Sequence, residues 1–223
     1  MKNNHNIIIA VDGTAASGKG TLAKKIATHY QLAYLDTGKI YRAVAYMMLN
    51  PDHPPIISES EQAIGYAKKL AEMHDPLPLL SLPDLTMDVY GNQASKIATI
   101  PELRASLKEF QQNFAHSPPS EFKGAVLDGR DIGTVICPDA KIKLYITASA
   151  ETRAMRRYKE LSAQENAPPL SDIIADIKTR DERDSKRSVA PLEKAIDAYE
   201  IDTSHMTITQ MFETARAYID NRL

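Results

Sequence analysis

The chain has 223 residues, with 43% hydrophobic and 25% charged, enough for one well-buried core and too few for two full domains. A formal net charge of -2 argues against wholesale binding to nucleic acid or to an anionic membrane and favours small partners. The single cysteine, Cys137, excludes an internal disulfide and any multi-cysteine metal site, as expected of a buried, inert thiol in the reducing cytoplasm.

The opening MKNNHN leads into an apolar run too short for a signal peptide or a membrane span. Ile7 to Val11 predict a buried strand, followed by a loop of small residues and a helical pattern from Lys19. That order is the context of a phosphate-binding loop, where backbone N–H groups and the positive end of a helix dipole converge on an anion. Gly13 and Gly18 let the main chain turn inward around Ala15, Ala16 and Ser17. Lys19 adds a mobile charge, and the Thr21 hydroxyl can reach Mg²⁺. Gly20 departs from the usual pattern, in which the hydroxyl follows the lysine directly.

Leu22, Ala23, Ile26, Ala27 and Tyr30 recur at helical spacing, so an amphipathic helix runs to about His29–Gln31. Leu32 to Asp36 predict a second strand and TGKIYRAVAYMML a second helix, which puts Thr37, Tyr41 and Arg42 near a strand's carboxyl end. Each of the three also reads as a cap, a core-edge tyrosine or a surface charge. Pro51 to Pro55 reads as loop, and Ser58 with Glu61 as a capping box opening a helix through about Met73. Pro76 to Pro83 shows no period. QASKIATIPELRASLKEFQQNF predicts two helices divided by Pro101, the second burying Leu103, Leu107 and Phe110, with Arg104 beside that stripe.

In GAVLDGRDIGT, a strand at Ala125 to Leu127 stops in Asp128, Gly129, Arg130 and Asp131. Charges crowded at the sheet's carboxyl edge point to chemistry. Asp128 can order a Mg²⁺-bound water, Arg130 can neutralise phosphate, and Asp131 can accept hydrogen bonds from a base. Lys141 to Thr147 alternate as a strand, and Ser149 caps a helix carrying Arg153, Arg156 and Arg157. LSAQENAPPL is a connecting segment, and the helix from Ser171 carries Arg180, Asp181, Arg183, Asp184 and Arg187, with Arg180, Asp184 and Arg187 on one face. Alone, that run is a solvated, self-paired helix surface. Beside a phosphate loop, two arginine-bearing helices form a lid able to exclude water. Ala198 to Ile201 predict the last strand, and Thr207 and Gln210 cap a final helix with Ile208, Met211, Phe212, Ala215 and Ile219 as its stripe. Strands alternating with helices give a parallel sheet covered on both faces.

GTAASGKGT, LDTGKIYR, ASKIATIPELR, LDGRDIGTVICPDA, the RRYKEL helix, and TRDERDSKR followed by VAPL occur in that order over nearly the whole chain. Together they resemble the bacterial cytidylate kinases. The resemblance implies a P-loop nucleoside triphosphate hydrolase-like three-layer α/β fold with a five-stranded parallel sheet. It implies one domain, with an NMP-binding arm at about 37–115 and a helical lid at about 154–188, acting as a monomer on small molecules. The implied reaction belongs to pyrimidine nucleotide metabolism: the γ-phosphoryl group of ATP passes to CMP or dCMP with Mg²⁺ as cofactor.

By the same resemblance, Lys19 and the backbone from Ala15 to Thr21 hold the ATP phosphates, with Thr21 near Mg²⁺. Thr37, Arg42 and Arg130 lie near the CMP phosphate or sugar, with Tyr41 beside them. Ser95, Arg104 and Asp131 read cytosine, Arg180 and Asp184 contact the ribose, and Arg187 serves the phosphate and base. Lys19, Asp128, Arg130, Arg157 and Arg183 are expected in the transfer step. The family commonly carries a strand-containing insertion in the arm, for which Pro51 to Thr86 is too short and too proline-rich, so a reduced arm is expected. Rival readings are a kinase for another small acceptor, such as UMP, AMP or shikimate, and a nucleotide-dependent switch. The GTPase base-reading motif NKxD is absent from the sequence.

Overall fold

An unbroken apolar run suits a strand covered on both faces, and the computed structural model, which describes residues 6–50, 58–162 and 168–223, puts it mid-sheet. Strand β1 (Ile7–Gly13) is buried from Ile8 onward. It lies between β3 (Gly124–Gly129) and β4 (Ile142–Thr147), with β2 (Ala33–Asp36) beyond β3 and β5 (Tyr199–Asp202) beyond β4, in the order β2-β3-β1-β4-β5. The five strands form a parallel sheet flanked by helices. Early connections run to one side of β1 and later ones to the other, the reversal at which open α/β sheets bind ligands. In register, Val11 lies opposite Asp128 and Asp12 opposite Gly129. The segments following β1 and β3 therefore leave the sheet at the same level.

Helices α1 (Lys19–Tyr30) and α9 (Ile208–Asp220) share one core with the sheet, in which Leu22, Ile26, Met211 and Ile219 meet Ile9, Val126 and Leu144. Helices α7 (Ala150–Leu161) and α8 (Leu170–Lys186) close a separate small core of Ala154, Leu161, Ile173 and Ile177. All of this belongs to one compact unit, the residues up to 35 with 115–223; residues 36–114 form a second. The second unit is helical, with α2 (Thr37–Leu49), α3 (Glu59–Ala71), the single turn α4 (Leu77–Leu80), a 3₁₀ turn at Pro83–Thr86, α5 (Asp88–Ile97) and most of α6 (Pro101–His116). The capping boxes at Ser58/Glu61 and Thr207/Gln210 are both present, and Pro101 occupies the first position of α6, where its missing N–H costs nothing.

Several local expectations need correction. β1 and β3 run on into Asp12–Gly13 and Asp128–Gly129, because parallel pairing continues past the apolar residues. β5 starts one residue late, at Tyr199, in register with β4. The proline-broken Pro76–Pro83 stretch contains α4, since proline is tolerated in a first turn. Ile208 is 52% exposed, so the buried stripe of α9 begins at Met211. Phe110 is half-buried while Gln111 is buried, its amide bonded to the Leu107 carbonyl. Thr37 is not a cap: the Asp36 carboxylate accepts from the Lys39 N–H and caps α2. Arg187 follows α8 in extended conformation and so does not continue its face. The loop expected at Pro51–Pro55, most of MKNNHN and half of LSAQENAPPL lie outside the described residues. Among the described residues, no strand falls between 37 and 123.

Candidate active site

After Gly13, the Thr14 N–H bonds to the Ile146 carbonyl and β1 ends. Gly13 has φ 150°, and a Cβ there would meet the Ile146 carbonyl oxygen at 2.0 Å, so the turn requires glycine. The loop is held from behind. The Thr14 carbonyl accepts from the Ser17 hydroxyl at 2.9 Å, the Ala15 carbonyl from Arg153 at 3.2 Å, and the Ser17 carbonyl from Thr203 at 2.9 Å and Arg156 at 3.3 Å. Among the described residues no peptide bond is cis, and across a trans peptide the carbonyl and the next N–H point in opposite directions. The N–H groups of Ala15, Ala16 and Gly18 therefore face away from these partners. Gly18 (φ 91°) begins α1 with no side-chain cap, and no acid lies in the first turn, leaving the positive end of the helix uncompensated for an anion.

Lys19 Nζ lies 3.5 Å from Asp128 Oδ1, and the Tyr34 hydroxyl is 3.4 Å from Oδ2. The structure explains Gly20. A Cβ at that position would lie 3.0 Å from Asp128 Oδ2 and 3.8 Å from the Tyr34 oxygen. The exposed Thr21 hydroxyl and the buried Asp128 carboxylate are hard oxygen donors of the kind Mg²⁺ accepts while keeping most of its waters. The donor chemistry and the clearance at Gly20 thus fit such an ion.

The β3 strand delivers the acidic and basic residues that follow it. Asp12, the buried penultimate residue of β1, accepts from the N–H groups of Ile132 at 2.8 Å and Gly133 at 2.7 Å. It thereby pins the π-type turn Ile132–Ile136 directly after Arg130 and Asp131. Burial pushes the Asp12 carboxyl up to about 7, against the two N–H bonds, with Asp131 and Asp128 adding to the rise. Arg130 bonds through Nε to Asp184 on α8 at 2.8 Å, and Arg187 stands 3.6 Å from Asp131. Burial raises the Asp184 carboxyl, but Arg130, Arg180 and Arg187 outweigh it and leave the group below its ordinary range. Arg157 pairs with Glu160 at 2.9 Å, and Arg180 and Arg183 are half-buried on α8.

The first unit therefore brings together Lys19, Asp128, Tyr34, Arg130, Asp131, Asp184 and Arg187. Within the second unit, Thr37 and Tyr41 are buried on α2 and Ser95 on α5. The Arg42 guanidinium bonds to the carbonyls of Leu85 and Met87 and packs against Gly91. Arg104 is buried with its guanidinium carbon 5.5 Å from the Tyr41 ring centroid. Sequence reasoning missed Asp12, Tyr34 and Thr203. An acid closing an otherwise apolar strand was the available signal for Asp12; nothing local marks the other two.

A family model described as cytidylate kinase matches residues 9–221. The cytidylate kinase of Rhodospirillum rubrum is 46% identical over 209 residues, covering 94% of this chain and 95% of that protein. The cytidylate kinase of Brucella suis biovar 1 is 46% identical over 218 residues, covering 97% and 94%. An uncharacterized protein from Eubacterium ventriosum has a similar fold, with TM-score 0.53 at 16% identity, covering 97% of this chain and all of the other.

Proposed function

The chain belongs to the cytidylate kinase family, and from that premise we propose how its residues carry out the reaction. The protein is a (d)CMP kinase, transferring the terminal phosphoryl group of ATP to CMP or dCMP and yielding ADP with CDP or dCDP. Another acceptor such as UMP is not favoured. The enzyme works as a monomer in the cytoplasm, where both substrates occur.

The acceptor is a phosphate oxygen already ionised at neutral pH, so no strong general base is needed. The protein's task is to align two polyanions and offset their repulsion. The inward N–H groups of the loop and Lys19 bind the β- and γ-phosphates of ATP, and Arg130, Arg157 and Arg183 neutralise charge during transfer. The Thr21 hydroxyl and, through water, the Asp128 carboxylate would hold Mg²⁺, which would supply positive charge to offset that of the phosphates. Thr37, Tyr41 and Arg42 serve the acceptor phosphate and sugar, and Arg180, Asp184 and Arg187 its ribose and phosphate. Asp131 accepts from the cytosine N4 amino group, and Arg104 with Ser95 donates to N3 and O2. Uracil reverses the donor and acceptor at its edge, and an unpaired buried polar group is strongly rejected.

The observation that carries this reading is the loop, with its carbonyls bonded from behind and Lys19 3.5 Å from Asp128. The test is ATP-dependent transfer by purified protein to a panel of CMP, dCMP, UMP and AMP. Preference for CMP and dCMP is expected; UMP or AMP as the main acceptor overturns it. Asp131→Asn should narrow the CMP-over-UMP preference, and an unchanged ratio removes Asp131 as the base reader.

A further inference from the structure

Arg153 has a place outside the scheme above. It lies in the first turns of α7 and is 4% exposed. Nε donates to the Ala148 carbonyl at 2.9 Å, and Nη1 to the Ala15 carbonyl of the phosphate loop at 3.2 Å. Nη1 and Nη2 also grip both carboxylate oxygens of Asp181 on α8, at 3.0 and 2.6 Å. Two-pronged guanidinium–carboxylate pairs are among the strongest and most directional polar contacts in proteins.

Asp181 sits on the helix that carries Arg180, Arg183 and Asp184, and Asp184 in turn holds Arg130 at 2.8 Å. A single guanidinium thus touches the loop assigned to ATP and the helix assigned to the acceptor. The two ends of α7 and α8 are held differently. Arg153 and Arg156 fasten α7 to the Ala15 and Ser17 carbonyls, whereas α8 rests on α7 through the small Ala154–Leu161–Ile173–Ile177 core, the Asp181 contact and the exposed Lys178–Glu151 pair, and on Arg130 through Asp184. A shift of the loop toward bound phosphate would pull on the Ala15 carbonyl, and the contacts of Arg153 would carry that shift to Asp181 and so to α8.

We propose that Arg153 and Asp181 are positioning residues that couple the ATP and CMP sites, so that each substrate strengthens binding of the other. This rests on the kinase reading given above. Coupling between two sites is reciprocal and is read directly as the ratio of affinities with and without the second ligand. A role in stability alone would lower the melting temperature or weaken both substrates without changing that ratio.

The experiment measures CMP binding by calorimetry, with and without a non-hydrolysable ATP analogue, in wild type, Asp181→Asn, Asp181→Glu and Arg153→Lys. Asp181 is partly exposed, so its variants are expected to fold even where removing the buried arginine fails. Wild type should bind CMP about tenfold more tightly with the analogue present, within the usual span of allosteric coupling. In Asp181→Asn and Arg153→Lys that ratio should fall to about twofold or less, since neither variant retains the two-pronged ionic grip. Asp181→Glu should restore part of it. A wild type without coupling, or a ratio unchanged in Asp181→Asn, overturns the proposal. Transfer to CMP is assayed in the same preparation. Its absence sinks the kinase reading, whereas transfer with an unaltered ratio sinks only the assignment to Arg153 and Asp181.

Discussion

Lys19 and Asp128 meet at 3.5 Å where the phosphate loop passes the end of β3, and Tyr34 approaches the second oxygen of the same carboxylate at 3.4 Å. In the proposed mechanism the lysine serves charge that develops during transfer, whereas the tyrosine only orients its neighbour. Lys19→Ala is therefore expected to lower kcat by about 10²–10³-fold, the usual cost of losing one electrostatic stabiliser. Tyr34→Phe removes one neutral donor and should cost about fivefold, equivalent to ~1 kcal/mol. Steady-state kinetics with CMP checks both, and equal losses would place the tyrosine hydroxyl in the transfer step itself.

Gly20 is explained by its distance from Asp128. Gly20→Ala should leave the melting temperature nearly unchanged or raised, because alanine favours a helix by ~1 kcal/mol over glycine. Its Cβ, 3.0 Å from Asp128 Oδ2, should displace the carboxylate and reduce kcat about tenfold, since small misplacements at a reacting centre are costly. A variant with intact kcat would show that the carboxylate can yield without consequence.

Asp12 should leave its mark on the pH dependence of stability. Its carboxyl moves from 3.8 up to about 7 on folding, so between these values the folded chain binds more protons at this site than the unfolded one. Its contribution to stability is then present at low pH and is lost as pH rises from 3.8 through about 7. Urea unfolding of wild type and Asp12→Asn across that range tests the sign. The stability difference, wild type minus variant, should decline as pH rises, and an increase would refute it.

Cys137 is fully buried, and burial, with Asp139 and Asp12 adding to it, pushes its thiol up to about 12. Only the thiolate is nucleophilic. Iodoacetamide at neutral pH should leave the native protein unmodified and add one carbamidomethyl group after denaturation, as read by mass spectrometry. Rapid labelling of the native state would mean that the segment after Ile136 opens readily.

Much of the architecture was legible in sequence because it depends on local rules. An apolar run before GTAASGKGT implies a central strand feeding an anion-binding helix, and the Ser58/Glu61 and Thr207/Gln210 pairs mark helix starts through contacts within one turn. Asp128, Arg130 and Asp131 stood out as candidates because charges seldom end a buried strand without a task. Boundaries were less legible, as at Gly129 and Tyr199, because strands extend as far as their neighbours pair with them.

By itself, then, the sequence determined the alternation of strands and helices, the phosphate loop from Gly13 to Thr21 and the charged ends of its strands. Tertiary structure alone decided which charges answer one another. Arg153 and Arg156 look like further lid arginines in a linear reading, yet they are turned back onto the carbonyls of Ala15 and Ser17, 138 and 139 positions earlier in the chain. Gly20 looked like a departure until Asp128, on another strand, came to lie 3.0 Å from where its Cβ would be. Periodicity and caps register contacts within a few residues, whereas these pairings are set by the order and register of the sheet.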